Sequence, residues 1–123
     1  MSKPENIKKT ILTEGIKDTS LMKQWGHYLA EGSEKEKVKT AQLRKFFGAV
    51  KRIQADFDNL KHEIVLLTPK LAYAVGRNKG NKIKDLYDLL SPLIDEIKEN
   101  KGRFKNFVNV FEAIVAYHKE KGE

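Results

Sequence analysis

Three histidines, His27, His62 and His118, and a scatter of carboxylates are the side chains with which this sequence could do acid–base or metal chemistry. His62-Glu63 opens like a zinc-protease helix, but that motif needs a second histidine four residues after the first, and Leu66 stands there. The other two histidines fall on separate elements, so no metal site is expected. Asp95, Glu96 and Glu99 lie at a helix end beside Lys98 and Lys101 and read as a solvated, ion-paired face. Asp56 and Asp58 are two apart and point to different sides of their helix. With no cysteine, disulfides, thiolate zinc ligands and cysteine nucleophiles are excluded together. No P-loop spacing occurs, and the glycines at 76 and 80 lack the preceding strand of a dinucleotide fold. The chain therefore reads as a non-enzyme with no catalytic residue and no cofactor.

The cations are more informative. Of the formal charge of +7, none is left over outside residues 40–84, which hold 10 basic and 3 acidic side chains; 1–39 hold 8 and 6, and 85–123 hold 6 and 8. A segregated basic segment is what a polyanion site looks like, since each cation that meets a phosphate releases condensed counterions. Within the helix expected over 40–60, Arg44 and Lys51 share one azimuth and Lys45 and Arg52 another, both opposite Phe46, Val50 and Ile53. Ala41, Gly48 and Ala55 lie between the two rows. Small residues flanked by four cations leave a strip against which a sugar-phosphate backbone can lie. Gly48 has either that purpose or close helix packing, because a mid-helix glycine costs about 1 kcal/mol relative to alanine. Arg77, Lys79 and Lys82 extend the patch if the two helices pack antiparallel. No aromatic interleaves with these cations, which argues for backbone contact without base stacking.

The elements that must position these residues follow from apolar spacing. Residues 5–14 carry Ile7, Ile11 and Leu12 and predict a short, partly exposed helix whose apolar residues either cover the bundle or support self-association. Asp18 or Thr19 caps a second helix through about Ala30, and 32–39 reads as an exposed charged linker. Thr40 is the expected N-cap of a helix of about twenty residues, roughly 30 Å long. Pro69 is expected in the first turn of a new helix capped by Thr68. A loop over 76–81 precedes a striped helix through Ile97, which Pro92 should bend or restart. A last helix is expected over about 103–119. Nothing alternates with period two, so the fold expected is an all-α, single compact bundle of about five to six helices, with 1–39 as N-terminal helices plus linker and 40–123 as the helical core. No apolar run has the roughly 20 residues of a membrane span and the first fourteen residues lack a signal-peptide stretch, which predicts a cytoplasmic protein that makes no membrane contact.

Three stretches taken together, 40–54 (TAQLRKFFGAVKRIQ), 69–77 (PKLAYAVGR) and 107–119 (FVNVFEAIVAYHK), resemble the small subunit of type III-A CRISPR-Cas effector complexes, the Csm family. The resemblance spans about 40–119 and implies a non-catalytic helical bundle. It also implies that copies stack as an inner filament along the repeating backbone subunits, with a link to the large subunit and with crRNA and target RNA alongside. The family's basic positions map onto Arg44, Lys45, Lys51, Arg52 and Arg77. Two other readings stay open at this point: a free-standing helical protein, dimeric in some versions, that binds single-stranded nucleic acid without sequence preference, and a helical adaptor whose basic face meets an acidic partner.

Overall fold

The widest apolar face in the chain belongs to its last helix. Phe104, Phe107, Val108, Val110, Phe111, Ile114 and His118 cover an arc of about 160° at 100° per residue, more than a helix lying on a surface needs. In the computed structural model, which describes residues 2–122, all seven are buried and this helix is the axis of the molecule. The elements are α1 (Ile11–Glu14), α2 (Ser20–Ala30), α3 (Thr40–Ala55), α4 (Phe57–Leu60), a 3-10 helix (Lys61–Leu66), α5 (Leu67–Arg77), α6 (Ile83–Ile97) and α7 (Lys101–Gly122). No strand occurs among the described residues, and the fold is the all-α bundle expected. Helix α7 packs mainly on α2 and also on α1, α3 and α6, while α5 lies against α3 and α6. No helix among the described residues is long and apolar enough to cross a membrane.

The α2–α7 contact is close because of Gly26. A Cβ at this position would stand 2.7 Å from both the His118 amide nitrogen and the Ile114 carbonyl oxygen, so the two backbones nearly touch. Trp25 is buried beside it, and its Nε1 donates to the Glu5 carbonyl at 2.8 Å. That bond ties the N-terminal segment, which has no regular secondary structure over 2–8, to the bundle. The helix expected over 5–14 is consequently only four residues long, yet Ile7 and Leu12 are buried and cover the core. At the other end of α2, Asp18 Oδ1 accepts the Ser20 amide at 2.6 Å.

The charged segment 32–39 is exposed but pinned. Val38 is buried, its amide donates to the Leu29 carbonyl at 2.8 Å, and His118 Nε2 donates to the Val38 carbonyl at 2.6 Å, which assigns the ring's proton to that nitrogen. Asn81 Nδ2 donates to the carbonyls of Lys35 and Lys37 at 2.9 and 2.8 Å.

Three further expectations are corrected. The helix opened at 40 stops at Asp56 (φ −144°), so α3 has 16 residues, about 24 Å, and not twenty. Its cap is not Thr40: the Gln42 side chain accepts the Lys39 amide at 2.7 Å, and Thr40 is already helical. Pro69 does stand in the first turn of α5, but the helix begins at Leu67, and Thr68 Oγ1 is buried without a partner and does not cap it. Helix α6 is continuous through Pro92, so of the bend or restart expected there the restart does not occur.

Gly26→Ala forces the two backbones apart and is expected to lower the unfolding free energy by about 2–3 kcal/mol, an overpacking cost, in urea titration followed by circular dichroism. A decrease below about 0.5 kcal/mol would mean that α2 and α7 do not meet in this way.

Candidate nucleic-acid interface

Helix α3 separates its two faces cleanly. Leu43, Phe46, Val50 and Ile53 are buried, with the Phe46 and Phe47 rings edge-on to Phe111 of α7 at 5.2 and 5.7 Å. These contacts fix the rotation of the helix about its axis. Ala41, Arg44, Lys45, Gly48, Lys51, Arg52 and Ala55 are all exposed, so the strip read from the sequence faces solvent as one surface. At Gly48 an added Cβ would meet nothing within 4 Å. Close packing inside this chain therefore does not account for the glycine.

The four cations of the strip are not electrostatically equal. Lys51 lies 4.0 Å from a Glu112 carboxylate oxygen and 5.6 Å from the centre of the Phe47 ring, and Arg52 is hydrogen-bonded to Glu63 on the 3-10 helix. Arg44 and Lys45 have no carboxylate partner among the described residues. Exposed pairs of this kind contribute roughly 0–1 kcal/mol and exchange readily for a phosphate. The unneutralised charge thus sits toward the N-terminal half of α3, which is the half that faces α5.

Between α3 and α5 runs a groove of about 730 Å³, with Ala41 and Lys45 on one wall and Leu66, Lys70, Tyr73 and Arg77 on the other. Arg77 thereby shares the groove with Lys45 of α3, and no carboxylate lines it. Lys70 and Tyr73 are site residues that sequence reasoning missed. Leu66, Lys70, Tyr73 and Arg77 recur at four, three and four residues, a second stripe about 110° around the helix from buried Leu67 and Leu71. That spacing was the available signal. It also corrects the expectation that no aromatic accompanies the cations: Tyr73 is 64% exposed, with the Arg77 guanidinium 5.7 Å from its ring centre.

The remaining two loop cations do not join this wall. Lys79 is exposed and borders an adjoining depression of about 310 Å³ together with Glu34, Lys35 and Lys39, where the charge is mixed. Lys82 is turned inward. Its ammonium donates to the Tyr28 and Glu31 carbonyls, both at 2.8 Å, and lies 4.1 Å from the centre of the Tyr28 ring. Both carbonyls stand at the C-terminal end of α2, where Tyr28's also accepts the Glu31 amide at 3.3 Å and a cation meets the favourable end of the helix dipole. Next to it the Tyr28 hydroxyl donates to Asp85 at 2.7 Å, and burial first, then that bond, push the phenol up to about 12. Lys82 is a cap of the fold and not a free cation of the patch.

Two substitutions separate these roles. Gly48→Ala meets open space and should stabilise the isolated chain by about 1 kcal/mol in thermal or urea unfolding; destabilisation would mean the strip is already covered. Lys82→Met should cost about 1–3 kcal/mol of stability by removing the charged hydrogen bonds and leave polyanion affinity within about twofold. A folded Lys82→Met chain with much weaker affinity would return Lys82 to the binding face.

Among the described residues no group of three or more His, Asp or Glu side chains is placed to hold a metal ion. In comparison with known families, the model of the Csm2 Type III-A family aligns with residues 17–123. No curated protein and no solved structure matches the chain. The matched residues take in α2 through α7, and so also the second helix and the charged segment 32–39, where the sequence offered no motif. The chain belongs to the Csm2 Type III-A family, the small subunit of the type III-A CRISPR Csm complex.

Proposed function

We propose that this small subunit is a non-catalytic RNA-supporting element of the Csm complex, which meets the sugar-phosphate backbone of the crRNA–target duplex with the exposed face of α3. The observation that carries the reading is Gly48: a glycine in the middle of a helix, with open space above it and cations on both sides. A duplex backbone can approach such a strip to within reach of Arg44, Lys45, Lys51 and Arg52, and Arg77 and Lys79 each border a depression that reaches Ala41 at the start of the strip. Recognition of this kind is blind to sequence, as a subunit that serves many guides requires.

The chain acts as one domain, supported by a single contiguous core that runs from Ile7 to Ile114. Copies stack as an inner filament beside the repeating backbone subunits and reach the large subunit at one end. The work takes place in the cytoplasm, and cleavage or nucleotide cyclisation belongs to other subunits.

The test uses Arg44→Ala/Lys51→Ala, which removes one of the two rows of the strip, in the assembled complex. Target-RNA affinity should fall about tenfold at physiological salt, and the slope of log affinity against log salt should shrink by about 2, one for each phosphate no longer neutralised. An unchanged slope with an intact complex would refute this mode of binding.

A further inference from the structure

We propose that the groove between α3 and α5 receives an unpaired RNA base, stacked on Tyr73, with its flanking phosphates met by Lys45, Lys70 and Arg77. The proposal rests on the reading that this side of the molecule meets RNA, and adds a second mode of contact to it.

Tyr73 is the one aromatic among the exposed large apolar residues of the described chain; the others are Val65 and Leu66. Exposing an aromatic ring forfeits the burial that holds the remaining rings in the core, so its position calls for a partner with an apolar face. The surroundings narrow the choice. Lys45, Lys70 and Arg77 line the same groove and no carboxylate does, which suits a ligand that joins a flat apolar body to negative charge. A nucleotide is that combination: its base has a π-face, and its phosphates carry the charge. At about 730 Å³ the groove is within the ordinary range for small-molecule sites.

The groove is also continuous with the strip, because Ala41 and Lys45 belong to both. A backbone lying along α3 passes its mouth. A paired base cannot enter, since both its faces are covered in the duplex, so the occupant is a base that has left the stack or belongs to a single-stranded stretch. Arg77 strengthens the platform, because a guanidinium over an aromatic ring presents a second flat, cationic surface to the base.

The experiment compares binding of a single-stranded oligouridine and of an RNA duplex of equal length by fluorescence anisotropy, and maps photocrosslinks from an oligouridine carrying one 5-iodouridine. Tyr73→Ala should weaken oligouridine binding about tenfold, Tyr73→Phe should retain it, neither should change duplex affinity, and the crosslink should fall on Tyr73. Circular dichroism should be unaltered, because the ring is exposed. If Tyr73→Ala binds oligouridine like the parent, or the crosslink maps elsewhere, the groove is not a base site. If Tyr73 and Leu66 stay shielded from hydroxyl radicals in the assembled complex after its RNA is digested, the groove belongs to a neighbouring subunit. Arg44→Ala/Lys51→Ala separates this proposal from the one it rests on. Weaker binding in that variant alone keeps the strip and removes the groove, weaker binding in Tyr73→Ala alone keeps the groove and removes the strip, and no change in either removes both.

Discussion

The arrangement depends on the contact at Gly26, where α2 and α7 approach so closely that no side chain fits between them. With α2 seated there, Trp25 is buried and can hold the N-terminal segment through Glu5, and the C-terminal end of α2 comes to lie where Lys82 caps it. The same contact places His118 under the segment 32–39, whose backbone it binds at Val38. That segment leads directly into α3, so the start of the basic helix is fixed by a chain of bonds that begins at a glycine. The aromatic contacts of Phe46 and Phe47 with Phe111 then set its rotation.

The consequence for function lies in what α3 leaves outside. A helix that needed only solubility would carry helix formers on its outer face, and here that face has a glycine in the middle, which lowers helix stability without improving the packing. Two of its cations are partly neutralised by Glu63 and Glu112, and two are not. The surplus positive charge gathers at the mouth of the α3–α5 groove, next to an exposed tyrosine. The two proposed contacts would be complementary, backbone contact on the strip carrying affinity along a duplex and base contact in the groove engaging only nucleotides outside it.

Much of this was legible in the sequence, because apolar periodicity is a local signal. The stripes of α2, α6 and α7 and the outward direction of Arg44, Lys45, Lys51 and Arg52 follow from spacing alone, and the three resembling stretches lie within the family match. What was not legible depended on tertiary neighbours. Phe57 and Leu60 continue the α3 stripe in phase, so nothing apolar marked the break at Asp56. Ile7, Ile11 and Leu12 had helical spacing, but the segment tied down by the hydrogen bond from Trp25 has no regular structure before α1. Lys82 resembles a loop cation until the end of α2 is seen beneath it. Tyr73 is different: its stripe with Lys70 and Arg77 was present in the spacing, and the default that an aromatic belongs to the core concealed it.

Whether RNA runs over α3 would be seen in a cryo-electron microscopy map of the assembled Csm complex containing this subunit, bound to crRNA and target RNA. RNA phosphates are expected within hydrogen-bond reach of Arg44 and Lys45, with the sugar-phosphate backbone running over the exposed surface of Gly48. A map in which that surface of α3 packs against a protein subunit, with RNA crossing another face of the molecule, would contradict it.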